Sequence, residues 1–411
     1  MKSLGTQILL DLENCNPDLL DDIDLIKDIL KEAANLAGAT IIGETFHKFH
    51  PVGVTGVVSI AESHICIHTW PEYSYASVDI FSCGDDFNLE TASQIIEERL
   101  ESGDSFSTLI EWHIEPISTG LIQAERITSI ICEVQTQFQH VMIIEGECFG
   151  RSLILDGKTQ STELDEFVYH EGLVHPSMVS HENPKNVLIV GGGEGATARE
   201  VLKYRNVEEV TMVDIDQKLV ELCQEFLPNH HMNAFKDPRL KIDFADALEF
   251  VDSSNKQYDV IIIDVPDPLE YGPAYKLFTL EFFLLLKSRM KLDGILVIQA
   301  GATGPSFSEQ CFTAVANTLS QAFSICRGYE IFVPSFGSTW GFVTASERIN
   351  PTAKTVENIN SNLKTLNIDG LKMYDGISHQ SMFRLPKYTR EHLNTETRVI
   401  TNSNPIFTYQ Q

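Results

Sequence analysis

The sequence predicts two folds in one chain: a compact two-layer α+β unit, then a doubly wound, Rossmann-like α/β domain introduced by a small β segment. Three observations carry this. Strand-like runs flanked by two helical stretches fill roughly the first 120 residues. Short apolar-alternating runs with turn signals follow from Leu121. From residue 185 onward, apolar runs that end in acids or glycines alternate with helical stretches, the rhythm of a mostly parallel sheet.

In the first region, Asn16 and Pro17 start a helix over 17–37, with Leu19, Leu20, Ile23, Ile26, Leu30 and Ala34 as its apolar stripe and Gly38 as its stop. Strands are expected at ATII (39–42), VTGVVSI (54–60), HICIHTW (64–70) and YASVDIFSC (75–83). A second helix fits 89–100, and TLIEWHIEP (108–116) reads as a closing strand. The next region has hairpin strands in ICEVQTQFQHVMIIEG and CFGRSLILDG, turning at EGE and LDGK. KNVLIVGGGEGATAREVL (185–202) then reads as strand, glycine turn and helix. VEEVTMVDID, LKIDFADA, YDVIIIDVPDP and GILVIQAG continue the pattern, with helices over 217–227 and 279–290. The polar stretch 346–370 adds a peripheral helix. The expected domains are 1–122, 123–175 and 176–411.

Bulk properties exclude several function classes. At 411 residues and 43% hydrophobic content the chain can bury more than one core. No apolar run approaches the ~18 residues of a membrane span, and the opening MKSLGTQILLDLENC lacks the apolar core of a signal peptide. Eight cysteines without a CxxC pair fit a reducing cytoplasm and argue against a structural zinc site. A net charge of −28 argues against nucleic acid; such a surface would draw a cationic substrate, although charge alone favours reading it as simply a soluble acidic protein.

In open α/β sheets ligands bind beyond the carboxyl ends of the strands. Gly191, Gly192, Gly193 and Gly195 stand there, where the missing Cβ admits a ligand against the backbone. Asp214, about 20 residues on, is placed to hold ribose hydroxyls. This much fits either a nicotinamide cofactor or an S-adenosylmethionine-type ligand. Asp246 in FADA is placed to accept from an adenine amine, or to serve only as a turn former. Asp264 and Asp267 in IIIDVPDP put two carboxylates at the end of a buried strand, where they can bind and deprotonate an amine.

Residues ~125–405 resemble the aminopropyltransferases of the spermidine and thermospermine synthase family. LDGKTQSTELDEFVYHE, GGGEG, VDID, FADA, DVPDP and VPSFGSTWGFVTAS carry the resemblance. It implies decarboxylated S-adenosylmethionine as donor, with Asp214 on its ribose, Asp246 on its adenine, and Gln160, His170 and Glu194 on its methionine-derived arm. Asp264 would deprotonate the attacking amine, and Tyr169 and Asp267 would position the acceptor. Glu194 replaces the usual Asp of the glycine turn, and Val265-Pro266 replaces the usual hydroxyl pair of the DxxD turn. GPAYKLFT, QAGATG and VPSFGSTWGF are similar to the thermospermine branch, so both putrescine and a triamine such as spermidine stand as acceptors.

Residues 1–~120 resemble the short bacterial and archaeal S-adenosylmethionine decarboxylases, through MKSLG, TFHKF, GVTGVV, AESHICIHTWPEY and DIFSCG. The resemblance implies self-cleavage between Glu62 and Ser63, leaving a covalent pyruvoyl group derived from Ser63 and requiring no metal. Its ketone would form a Schiff base with the substrate amine and accept electrons as carbon dioxide leaves. Cys83 would protonate the α-carbon, His68 would assist self-processing, Glu72 would hold the ribose and Phe49 would stack on adenine. Thr55 stands where relatives have serine. Strand alternation puts His64, Cys66 and His68 on one face and Ser63 on the other. The three show no fourth metal ligand, and His64 and Cys66 read as structural.

The two resemblances together imply a bifunctional polyamine enzyme, homo-oligomeric and cytoplasmic. Alternative readings are an ornithine or arginine decarboxylase in the first domain, an unprocessed regulatory module there, or a small-molecule methyltransferase in the second.

Overall fold

The computed structural model describes residues 6–408 apart from 62, 84–86, 110, 119 and 271, and does so without the side chains of 104–111 and 273. The chain divides into two compact units, residues 1–113 with 126–128, and 114–125 with 129–411.

The first unit is built on a six-stranded sheet. Its strands are β1 (Thr6–Glu13), β2 (Ile41–Lys48), β3 (Val54–Ile60), β4 (Ser63–Trp70), β5 (Tyr75–Ser82) and β6 (Asp104–Leu109), in the order β2-β3-β4-β5-β1-β6. All pairs are antiparallel. Helices α1 (Pro17–Leu20), α2 (Ile23–Leu36) and α3 (Leu89–Arg99) complete it. Alternate residues of the strands, such as Ile65, Ile67, Val78 and Ile80, bury against Ile26, Ile29, Leu30 and Ala33 of α2 and Ile96 of α3. The result is the expected two-layer α+β arrangement.

Three details depart from the sequence expectations. The helix expected over 17–37 is broken at Asp21-Asp22, because the Asp22 carboxylate accepts from the N–H groups of Asp24 and Leu25 (3.0 and 3.1 Å) and starts α2 afresh. TQILLDLE is a central strand that the sequence reading did not assign; its alternation buries Ile8, Leu10 and Leu12. The closing strand expected over 108–116 is two strands, β6 and then β7 (Glu111–Ser118), and β7 belongs to the next sheet. The passage between sheets therefore falls before residue 111, not at 122/123.

The second sheet is β7 with β8 (Leu121–Gln135), β9 (His140–Gly146), β10 (Gly150–Leu155) and β11 (Lys158–Thr162), ordered β11-β10-β9-β8-β7. Helix α4 (Glu166–Ser180) follows. Its Leu173, Val174 and Met178 sit in the core of the third sheet, so the α/β domain starts at α4, ahead of the expected residue 176.

That third sheet holds β12 (Asn186–Gly191), β13 (Glu209–Asp214), β14 (Leu240–Phe244), β15 (Tyr258–Asp264), β16 (Met290–Ala302), β17 (Ile325–Val333) and β18 (Ser338–Ser346). Its order is β14-β13-β12-β15-β16-β18-β17, with only β18 antiparallel to its neighbours. Helices α5 (Ala196–Leu202), α6 (Gln217–Phe226), α7 (Pro228–His231), α8 (Ala247–Ser253), α9 (Leu280–Ser288), α10 (Phe312–Ala322), α11 (Val356–Thr365), α12 (Gly376–Met382) and α13 (Lys387–Thr395) complete the domain. Separate apolar clusters on the two faces explain why β12 and β15 are near-continuous apolar runs. The chain leaves β12 toward β13 and β14, then returns to place β15 on the other side. This reversal opens a crevice at the carboxyl ends of β12 and β15.

Candidate functional sites

The register of β12 on β15 sets Gly191 beside Asp264. Gly191 has φ of 80°, and a Cβ there would overlap the Asp264 carbonyl oxygen, so the position demands glycine. The Gly192 N–H donates to that same carbonyl at 2.8 Å. The Asp264 carboxylate accepts from the Tyr169 hydroxyl at 2.8 Å and from the Thr197 hydroxyl at 2.5 Å. Burial is the main force that raises its pKa above the usual carboxylate range. The Glu194 charge adds to it, while His170 and the two hydroxyl donors oppose it. Burial and the Asp264 charge hold the Tyr169 phenol well above its ordinary value, so it stays a neutral donor.

Asp214 ends β13. Burial, reinforced by the charges of Asp216 and Asp264, pushes its carboxyl up to about 6, although the Asp216 N–H donates to it at 2.9 Å. His170 sits one helical turn after Glu166 on α4. Its Nδ1 lies 2.9 Å from Glu166 Oε2, and its Nε2 lies 2.6 Å from Glu194 Oε1. Burial alone would lower the His170 pKa, but these two carboxylates outweigh it and raise it well above the ordinary value. Arg199 closes the network with a paired contact to Glu166 at 2.8 and 2.9 Å. Glu194 is thereby held at the crevice by a buried imidazolium.

Asp246 caps α8, accepting through Oδ1 from the Leu248 N–H at 2.8 Å, so its capping and cavity-lining roles coexist. Asp267 Oδ1 accepts from the Gln299 amide at 3.2 Å. Gln299 is itself fixed by donating to the Val265 carbonyl and accepting from Trp340 Nε1. The Gln160 amide donates to the Lys158 carbonyl at 3.2 Å. Phe336 packs edge-on to both Tyr169 and Trp340, and the three rings form one wall of the cavity. Asp165 ties that wall to α4, accepting from Thr162 and from the Ser335 backbone and hydroxyl.

Gln160, Tyr169, His170, Glu194, Asp214, Asp246, Asp264 and Asp267 all line one continuous cavity. The sequence reading missed Thr197 and Gln299, whose only signal is position: the first turn after the glycines, and the end of β16. It also missed Glu166, which spacing of four before His170 could have found. The cavity can take a cation along its acidic wall and present the half-buried Asp264 carboxylate to it.

The first unit is arranged differently. Ser63 starts β4 and pairs with Ser82, so Cys83 follows directly beside the proposed cleavage point; Glu62 lies outside the described residues. Contrary to simple alternation, Ser63 Oγ meets His64 Nδ1 at 3.2 Å, and His64 Nε2 faces Asp79 Oδ2 at 3.4 Å. His64 thus has contacts that a structural reading did not anticipate. His68 pairs in register with Thr55 and meets its hydroxyl at 2.9 Å, while Cys66 Sγ lies 3.6 Å from its other nitrogen. Five residue-to-residue steps of strand separate His68 from Ser63, on the order of 17 Å. Phe49 follows β2, with His47 5.0 Å away ring to ring, and Glu72 lies exposed in the turn after β4; both belong to the His68 end. One copy of the chain does not bring these two groups together.

Comparison with known proteins matches three family models in sequence. They are S-adenosylmethionine decarboxylase over residues 6–110, the spermidine synthase tetramerisation domain over 111–163, and the spermine/spermidine synthase domain over 166–355. A polyamine aminopropyltransferase of Sulfolobus acidocaldarius is 43% identical over 297 residues, 72% of this chain and 98% of that protein. The chain belongs to the polyamine aminopropyltransferase family. A member from a Synechococcus strain is 42% identical over 69% of this chain and 92% of its own length. Among solved structures, a spermidine synthase in complex with the transition state analogue AdoDATO superposes with a TM-score of 0.65 at 31% identity, over 70% of this chain and 96% of that one. Spermidine synthase of Thermotoga maritima gives 0.63, also at 31% identity. In this chain the family's catalytic and tetramerisation domains are preceded by a decarboxylase-family domain. Among the described residues no helix is long and apolar enough to cross a membrane.

Proposed function

We propose that the chain is a bifunctional polyamine enzyme. Its first unit decarboxylates S-adenosylmethionine, and its second transfers the aminopropyl group of the product to a polyamine acceptor, releasing methylthioadenosine. The observation that carries the transfer reading is Asp264, a half-buried carboxylate of raised pKa held by two hydroxyls inside an acid-lined cavity. An acceptor amine is a cation in water and attacks only when neutral. Asp264 accepts its proton as the nitrogen closes on the methylene next to the sulfonium. The carbon–sulfur bond breaks, and the neutral thioether leaves without a metal. Asp214 holds the ribose, Asp246 the adenine, and Gln160, His170 and Glu194 the donor's amine-bearing arm. Tyr169 and Asp267 align the acceptor, putrescine or spermidine, and hold the reacting atoms in line.

In the first unit Ser63 is read as the precursor of a pyruvoyl group, which when formed supplies the electron sink for carbon dioxide loss. Two observations support that role: Ser63 opens a strand, and it pairs in register with Ser82, the residue before Cys83, which would act as the proton donor. His68, Thr55, Phe49 and Glu72 lie at the far end of the same sheet. A second copy of the chain therefore supplies them, with Phe49 on the adenine, Glu72 on the ribose and His68 assisting processing. The test is incubation with S-adenosylmethionine and a panel of amines, identifying products by mass. Carbon dioxide release, methylthioadenosine and an elongated amine support the reading. Release from ornithine or arginine instead, or an intact single band on a denaturing gel, would replace its first half.

A further inference from the structure

We infer that His64, held by Asp79, is the base that takes the Ser63 hydroxyl proton when the chain cuts itself. The inference rests on reading Ser63 as the pyruvoyl precursor and adds the group that activates it. A serine hydroxyl is a weak nucleophile until a neighbouring base removes its proton, and such a base is recognised by contact with the hydroxyl and by a third group that orients it. Both are present. His64 Nδ1 lies 3.2 Å from Ser63 Oγ, and its other ring nitrogen faces Asp79 Oδ2 at 3.4 Å. Asp79 is fixed from the neighbouring strand, because its Oδ1 accepts from the Gln7 amide at 2.9 Å. β4, β5 and β1 thus each contribute one member of a line that ends on Ser63. His68 cannot take this part within the same copy, since its ring is engaged by Thr55 and Cys66 further along the strand.

The step balances within the chain. The Oγ proton passes to His64 Nδ1, and the oxygen bonds to the Glu62 carbonyl carbon. The Glu62–Ser63 carbon–nitrogen bond then breaks, its electron pair staying on nitrogen, which takes the proton back from His64. An ester and a free amine result. Loss of the Ser63 α-proton with departure of the Glu62 carboxylate, then addition of water and release of ammonia, completes the conversion. Asp79 orients His64 so that Nδ1 offers its lone pair to Ser63, by accepting the Nε2 proton; it is a positioning residue.

The test follows cleavage of freshly synthesised full-length chain on a denaturing gel, timing the appearance of fragments of about 62 and 349 residues, the lengths set by a cut after Glu62. A positioned general base contributes ~10²–10⁴-fold, so His64→Ala is expected to slow cleavage by at least about tenfold. Asp79→Asn should slow it less, and millimolar imidazole should restore cleavage of His64→Ala but not of Ser63→Ala. Circular dichroism of the variants checks the fold, and imidazole rescue separates a lost base from a lost structure. Cleavage of His64→Ala at the wild-type rate overturns the inference. So does slow cleavage that imidazole leaves unchanged while Asp79→Asn cleaves normally. A wild-type chain that is never cut defeats the pyruvoyl reading itself, whereas a cut wild type with indifferent His64 variants defeats only the base.

Discussion

The second unit gathers its candidate residues into one cavity, whereas the first spreads its own along a sheet. Asp214, Asp246, Asp264 and Glu194 come from four consecutive strand ends or the turns after them, and a parallel sheet aligns such ends in space. Ser63 and His68 come from opposite ends of one strand, and an antiparallel sheet keeps them apart. The first kind of arrangement lines one cavity with residues of a single copy. Under the proposed function, the second would need another copy to lay its His68 end against the Ser63 end, and assembly would then be a condition of decarboxylation.

The largest effect should come from Ser63→Ala, which is expected to abolish both chain cleavage and carbon dioxide release while transfer from supplied decarboxylated donor persists. Gel analysis and a two-substrate assay check this. Asp264→Asn should do the reverse, lowering kcat for transfer by roughly 10²–10⁴, the contribution of a positioned base, with decarboxylation intact. Joining two defective halves sharpens the comparison further. Co-expressed Ser63→Ala and His68→Ala chains should regain about a quarter of wild-type decarboxylation through random pairing into two-fold dimers. No recovery would mean that the two ends do not meet between copies.

Asp214 allows a pH test. Its folded-state pKa of about 6 lies above the ordinary 3.8, so burying it protonated favours the fold at low pH, and that contribution is lost as pH rises through about 6. Asp214→Asn should therefore stabilise the ligand-free second unit at pH 8, by up to about 3 kcal/mol for a shift of this size. The same substitution should weaken donor binding. Thermal unfolding with and without donor reads both effects, and an unchanged midpoint would contradict the burial argument. Donor affinity in the unaltered chain should fall as pH drops below about 6. The smallest effect is expected from Thr197→Ala, which removes one hydrogen bond to Asp264; a loss of about 1–3 kcal/mol predicts a roughly five- to 150-fold drop in kcat/KM.

Sequence patterns were legible wherever spacing equals geometry. The glycine turn, the strand-terminal acids and the paired carboxylates of DVPDP needed only the strand–turn–helix rhythm to be placed. TQILLDLE went unassigned as a strand, and the helix over 17–37 read as unbroken, because a short alternating run and a mid-helix Asp pair are weak signals until neighbours bury them. Thr197, Gln299 and Arg199 were invisible for a related reason. Each earns its place through a partner more than 30 residues away in sequence, such as Thr197 on Asp264 and Gln299 on Asp267.

By itself, then, the sequence determined the two architectures, their order, and the residue types that line the second site, since strand periodicity and turn chemistry are local properties. Only the tertiary structure decided that His64, not His68, touches Ser63, that a buried imidazolium holds Glu194, and that Asp264 is kept from ionising easily. Those outcomes depend on which strands pair, in what register, and how far water is excluded, and no local pattern encodes them.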